Sequence, residues 1–170
     1  QSVLIITPKR IRDRRGFFEE TWNNNSLADN GINIHFVQDN HSYSKDVGTL
    51  RGLHYQSPPF AQDKLVRCIR GAIFDVAVDI RKGSPTYGKW IGAELTSDNG
   101  QQLLIPAGFL HGFLTLKDDT EVQDPRLLRI SSSAFKIIDL ATFTCSALIF
   151  NKISTELSTL PLFLLHFNLS

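Results

Sequence analysis

Ala72-Ile73-Phe74-Asp75-Val76-Ala77-Val78-Asp79-Ile80-Arg81 alternates along its whole length. With the side-chain period of a β-strand, Ile73, Asp75, Ala77 and Asp79 share one face, while Phe74, Val76, Val78 and Ile80 share the other. One face is greasy and the other carries two carboxylates, which point either to solvent or into a polar pocket. Similar short runs flank this one: VLIIT from Val3, INIHFVQ from Ile32, TLRGLHYQ from Thr49, KLVRCIRG from Lys64, WIGAEL from Trp90, QQLLIP from Gln101 and GFLTL from Gly112. Turn signals such as Lys82-Gly83-Ser84-Pro85 and Ser97-Asp98-Asn99-Gly100 separate them. The pattern predicts an antiparallel all-β domain, either a sandwich or a jelly roll. One short helix is expected around Glu19 to Ala28.

A chain of 170 residues can bury a core without disulfides or a structural metal, and one domain suffices. The formal charge of +1, with both signs interspersed, gives no field that would argue for nucleic acid or an acidic membrane. A small-molecule partner is expected instead. Cys68 and Cys145 are the only cysteines and lie far apart, so they make neither a disulfide framework nor a metal cluster. A reduced cytoplasm is the expected location. The N-terminal apolar run is too short for a signal peptide or a membrane span. Methionine is absent even from position 1, as expected of a chain that starts inside a longer gene product.

Two histidines stand in informative surroundings. His54 lies in Leu50-Arg51-Gly52-Leu53-His54-Tyr55-Gln56, ahead of Lys64. On a regular strand Arg51 and His54 are out of phase, unless Gly52 marks a bulge that re-aims one of them. A neutral imidazole and an ammonium in one pocket can take a proton α to a ketone and stabilise the enolate oxygen. The competing reading is a half-buried histidine whose ring is satisfied by its neighbours. His111 follows Gly100, Pro106 and Gly108 at the spacing of the second cupin motif. The corresponding first-motif run, His54-Tyr55-Gln56, lacks a second histidine, so a divalent metal would be held poorly and a metal-free pocket is expected.

Several blocks in order carry a family resemblance: Arg15-Gly16-Phe17-Phe18-Glu19-Glu20, Phe36-Val37-Gln38-Asp39-Asn40, Leu50 to Gln56, Lys64-Leu65-Val66-Arg67, Phe74 to Arg81, Ser84 to Trp90 and Pro106 to Phe113. Over residues 3 to 123 the chain resembles the dTDP-4-dehydrorhamnose (dTDP-4-dehydro-6-deoxy-glucose) 3,5-epimerases, which are metal-free cupins. The resemblance implies an antiparallel cupin-type jelly roll, a double-stranded β-helix with short helices. It implies epimerisation of a dTDP-4-keto-6-deoxy-hexose at C3 and C5 through an enolate, with no cofactor. By the same resemblance His54 is the base, and Lys64 and His111 line the sugar pocket. Arg15, Glu20, Gln38, Asn40 and Arg51 hold the nucleotide or its diphosphate, for which guanidinium forks and amides are suited. For Arg15 and Arg51 the competing reading is a surface salt bridge; Glu20, Gln38 and Asn40 read equally as turn or cap residues. The family also implies a homodimer in which Arg15 and Glu20 reach a neighbour's pocket.

The resemblance stops at Thr120-Glu121-Val122-Gln123-Asp124, because the family carries at the place of Asp124 a tyrosine that returns the proton from the opposite face. Every glycine, tyrosine and tryptophan lies before residue 113. Residues 1–123 are therefore expected to form the epimerase-like domain and 124–170 an atypical tail, a replaced or out-of-frame ending. The alternative is a legitimate cap with Leu160 to Phe167 as its apolar face. Two further functional readings stay open: a cupin-fold nucleotide-sugar binding protein that has lost catalysis, and a 3-epimerase or ketoisomerase.

Overall fold

The computed structural model describes residues 2–127 and the short strand 166–168. Twelve strands are present among these residues: β1 Leu4–Thr7, β2 Arg10–Asp13, β3 Gly16–Glu19, β4 His41–Ser44, β5 Leu50–His54, β6 Lys64–Arg70, β7 Ala72–Asp79, β8 Trp90–Thr96, β9 Gln102–Ile105, β10 Phe109–Thr115, β11 Thr120–Gln123 and β12 His166–Asn168. One sheet runs β12-β1-β9-β6-β11-β4, a second runs β5-β10-β7-β8, and β2 and β3 form a separate hairpin. All pairings are antiparallel except β1 with β12. These two sheets form an antiparallel jelly roll, one of the two arrangements the alternating runs allow and the one the resemblance implies.

Alternation explains the layers. Ile5, Val66, Cys68, Ile73, Ala77, Leu103, Ile105 and Phe113 pack between the two sheets. The other face of the larger sheet presents Leu4, Ile6, Leu65 and Leu104, which are covered by Leu27, Ile32, Ile34 and Phe36. On the other face of the smaller sheet Val76 and Val78 pack with Leu53, against Phe74, Trp90 and Leu110. The greasy side of the 72–81 run is therefore the outward face of its sheet. Its carboxylate side faces the interior.

Two local expectations are revised. The helix α1 spans Asn24–Asp29, later than expected, because Asn23 caps it: its side chain accepts from the N–H groups of Asn25 and Ser26. Glu19 ends β3 instead. The run from Ile32 to Gln38 buries alternate side chains but joins no ladder except the isolated bridge between Gln38 and Arg126. A period of two here records burial against the sheet face, with backbone partners found elsewhere.

The chain continues beyond β11 in register with the core. Asp124 N–H donates to Asn40 O, Arg126 N–H to Gln38 O, and Leu127 N–H to Asp63 O. Apart from 124–127 and the backbone of β12, the expected tail, including most of its apolar Leu160 to Phe167 stretch, lies outside the described residues.

Of the two alternatives left open at Gly52, the structure has the bulge. His111 and Phe113, on one face of β10, pair with His54 and Arg51, so β5 takes three steps where β10 takes two. Arg51 and His54 thereby reach the same face. Gly52 has φ +110°, and a Cβ there would stand 2.7 Å from Gly112 Cα and from His111 O. Neither atom can yield without moving β10. Gly52→Ala should destabilise the fold by about 2 kcal/mol or more, combining backbone strain with overpacking. Urea unfolding checks it: the midpoint falls while the slope stays constant.

Candidate active site

The interior carboxylate Asp75 and His111 face each other across neighbouring strands. His111 Nε2 lies 2.6 Å from Asp75 Oδ1, and both residues are buried. In the tautomer that carries its proton on Nε2, the ring donates to Asp75 Oδ1 and Nδ1 keeps a lone pair. That lone pair meets Lys64 Nζ at 3.4 Å, reached from the opposite sheet. A chain Lys64-His111-Asp75 thus crosses the interior from β6 through β10 to β7. Asp75 Oδ2 is also buried and has no hydrogen-bond partner among the described residues.

Lys64 is the least comfortable member. Burial pushes its amine down from the ordinary 10.5 to about 8; Arg126 acts in the same direction, while Asp124 and Asp75 oppose it. An amine with a midpoint so near neutrality can both donate a hydrogen bond to an oxyanion and lose a proton under mild conditions.

His54 occupies the accessible rim above this chain. It is exposed, ends β5 and is the direct antiparallel partner of His111. Directly opposed residues hold their Cβ atoms about 5 Å apart on one sheet face. The three residues predicted to share a pocket, His54, Lys64 and His111, are therefore neighbours: two in contact inside and one beside them at the surface.

The nucleotide-binding candidates divide into two groups. Gln38 Nε2 donates to Asn40 Oδ1 at 2.6 Å, and Asn40 Nδ2 donates to the carbonyl of Asp124 at 3.3 Å. Both lie close to Lys64, because Arg126 bridges Gln38 on one side and Lys64 on the other. Arg51 reaches from β5 to β4, donating through Nε to Ser44 Oγ at 3.0 Å and through Nη2 to Tyr43 O at 2.7 Å. Arg15 and Glu20 stand apart from this group. Arg15 sits in the β2-β3 turn, exposed and paired with Asp13 at 2.6 Å. Glu20 Oε1 accepts from Asn23 Nδ2 at 3.1 Å beside the helix cap.

Asp75 and Arg126 were not assigned to the site from sequence. Asp75 could have been found, since its alternation places it on the face shared by Ala77 and Ile73, and a carboxylate in a sandwich interior needs a partner. Arg126 gave no such signal, as it follows the last recognisable block. Asp79, the other interior carboxylate, is absorbed by structure: the Arg81 guanidinium, with Ser84 and Thr86, holds it well below the usual carboxylate range. Among the described residues, no group of three or more His, Cys, Asp or Glu side chains is placed to hold a metal ion.

Comparison with known proteins gives a consistent result. The family model described as dTDP-4-dehydrorhamnose 3,5-epimerase matches residues 1–124. The dTDP-4-dehydrorhamnose 3,5-epimerase of Sinorhizobium fredii is 57% identical over 121 residues, covering 71% of this chain and 62% of that protein. The crystal structure of the Bacillus anthracis enzyme of that name, with TDP and PPi bound, superposes with a TM-score of 0.74 at 47% identity, covering 76% of this chain and 74% of that one. A dTDP-6-deoxy-D-glucose-3,5-epimerase of Legionella pneumophila, in complex with dTDP-4-keto-L-rhamnose, gives 0.70 at 41% identity, covering 78% and 76%. The chain spans 62% of the first of these curated relatives and 66% of those from Shigella flexneri and Escherichia coli.

Burying Lys64 carries a pH signature. Between about 8 and 10.5 the unfolded chain keeps its Lys64 proton while the folded chain has lost it. The unfolded state binds more protons there, so the Lys64 contribution to stability rises with pH across that window. The stability difference between Lys64→Met and the parent should shift in the parent's favour over that interval, by on the order of 3 kcal/mol. Urea unfolding at pH 7 and at pH 10.5 measures it, and a difference independent of pH would contradict the burial of a charged amine.

Proposed function

This chain belongs to the dTDP-4-dehydrorhamnose 3,5-epimerase family, and we propose that it epimerises a dTDP-linked 4-keto-6-deoxy-hexose at C3 and C5, in dTDP-rhamnose and related deoxysugar biosynthesis in the cytoplasm. The observation that carries the reading is the buried Lys64-His111-Asp75 chain lying beside an accessible histidine. In the proposed reaction His54 takes the proton α to the ketone as neutral imidazole. Lys64 faces the ketone oxygen and stabilises the charge that develops there, while His111 and Asp75 hold the amine in place. Gln38, Asn40 and Arg51 contact the nucleotide and diphosphate from the same chain.

We also propose a homodimer. The β2-β3 hairpin belongs to neither large sheet, and it carries exposed Ile11, Phe17 and Phe18 beside Arg15. Such a ribbon suits insertion against a second copy, where Arg15 and Glu20 would serve the neighbour's nucleotide.

A second reading is favoured by Asp124. Its carboxylate accepts from Arg126 Nε at 3.0 Å and so is occupied as an acceptor, where the family resemblance calls for a proton donor. A chain that removes a proton without returning it on the opposite face would bind the sugar nucleotide, or act at C3 alone, without full epimerisation.

Incubation with the dTDP-4-keto sugar in D2O tests both. Deuterium at C3 and C5 together with the inverted product supports the full reaction; exchange confined to C3, or dTDP binding without exchange, supports the second reading. Absence of both exchange and dTDP binding would overturn the nucleotide-sugar assignment. His54→Asn should reduce exchange by roughly 10²-fold or more and leave dTDP affinity nearly unchanged. Arg51→Ala should weaken dTDP binding by roughly 1–3 kcal/mol.

The family match ends at residue 124, which supports the proposal that the ending is replaced or out of frame. Limited proteolysis should then trim the chain after the family-like part before any cut appears within 2–123. Equal resistance along the chain would overturn this.

A further inference from the structure

The segment after β11 turns a second cation toward Lys64. Arg126 is an isolated bridge partner of both Gln38 and Lys64, and so lies between them in the larger sheet. Its backbone N–H donates to Gln38 O at 2.7 Å, and the carbonyl of Pro125 accepts from Leu65 at 3.0 Å. Directly opposed residues of a ladder project to the same face. The Arg126 side chain therefore follows that of Lys64 toward the interior, and Asp124, two residues earlier, follows Arg126. Asp124 Oδ2 accepts from Arg126 Nε at 3.0 Å. The two side chains are only 22% and 12% exposed, so water screens their charges weakly. Asp124 Oδ1 is buried and has no hydrogen-bond partner among the described residues.

We infer that the largely buried Arg126-Asp124 pair, held beside Lys64 by the backbone bridge, tunes the amine of the site, which makes Arg126 a positioning residue. Its meaning for catalysis rests on the epimerase reading proposed above. The charged and titratable groups facing Lys64 are Arg126 and Asp124 from the segment after β11, His111 from β10 and Asp75 from β7. Ile105, the β9 partner of Lys64, carries no charge. His111 and Asp75 satisfy one direction of the amine, and Arg126 supplies the opposing field. The lowered midpoint of Lys64, about 8, has burial as its largest cause and Arg126 next. An amine balanced in this way responds to small changes in the charge beside it.

The test is a pH titration of the full chain labelled with ¹³C-lysine, followed by NMR, with the Lys64 signal identified by its loss in Lys64→Met. The parent should show a midpoint of about 8 for this residue. Arg126→Met should raise the midpoint by roughly one pH unit, since it removes the repelling charge and leaves Asp124 to pair with the amine. Arg126→Lys should keep it near the parent value. Asp124→Asn should move it down, because a compensating anion is lost.

A parent midpoint near 10.5 would overturn the inference, as would equal shifts in Arg126→Met and Arg126→Lys. Should Arg126→Met fail to fold, Asp124→Asn decides alone, and an unchanged or raised midpoint in that variant overturns the inference. The titration uses no sugar. A chain that shows the predicted midpoints but no exchange in D2O would retain this inference and lose the epimerase reading.

Discussion

A cation enclosed between two β-sheets demands compensation, and much of the interior polar structure is arranged around that demand. Lys64 enters from β6, where Leu65 on one side of the strand and Val66 on the other are fully buried in separate apolar layers. Its amine is met by His111, which is oriented in turn by Asp75. Each of these residues would be unfavourable alone in an apolar layer, and each is tolerated because the next is present. The chain of contacts joins the two sheets by polar bonds, from β6 in one to β10 and β7 in the other.

The fold was largely legible because strand period and turn chemistry are local properties. The 72–81 run revealed its two faces correctly, including the interior placement of Asp75 and Asp79 as one of two open alternatives. For Arg51 and His54 the sequence left two alternatives, opposite faces or a bulge at Gly52, and the register of β5 against β10 selects the bulge. The hairpin of β2 and β3 was not read as such, because Ile11, Phe17 and Phe18 stay exposed and the usual link between alternation and burial is broken there. The run from Ile32 to Gln38 failed in the opposite sense. Its alternate residues are buried, yet its backbone bonds lie mostly outside any ladder.

The site was legible in part. His54, Lys64 and His111 could be grouped only through family resemblance, since they belong to three different strands and the sequence spacing does not bring them together. Asp75 was visible as a carboxylate on an interior-capable face, but its partner was not, because the pairing depends on cross-strand register between β7 and β10. Arg126 was invisible for a simpler reason. Its importance comes from a backbone bridge to Lys64, and a single bridge leaves no periodic trace in sequence.

Arg51 fastens the border strand of one sheet to the border strand of the other, through Ser44 Oγ and Tyr43 O. Those two bonds use Nε–H and one Nη2–H, so three of the five N–H donors of the guanidinium take no part in the seam. A planar fork anchored at two points has its remaining N–H groups already aimed, so less side-chain freedom is left to lose when they meet an acceptor.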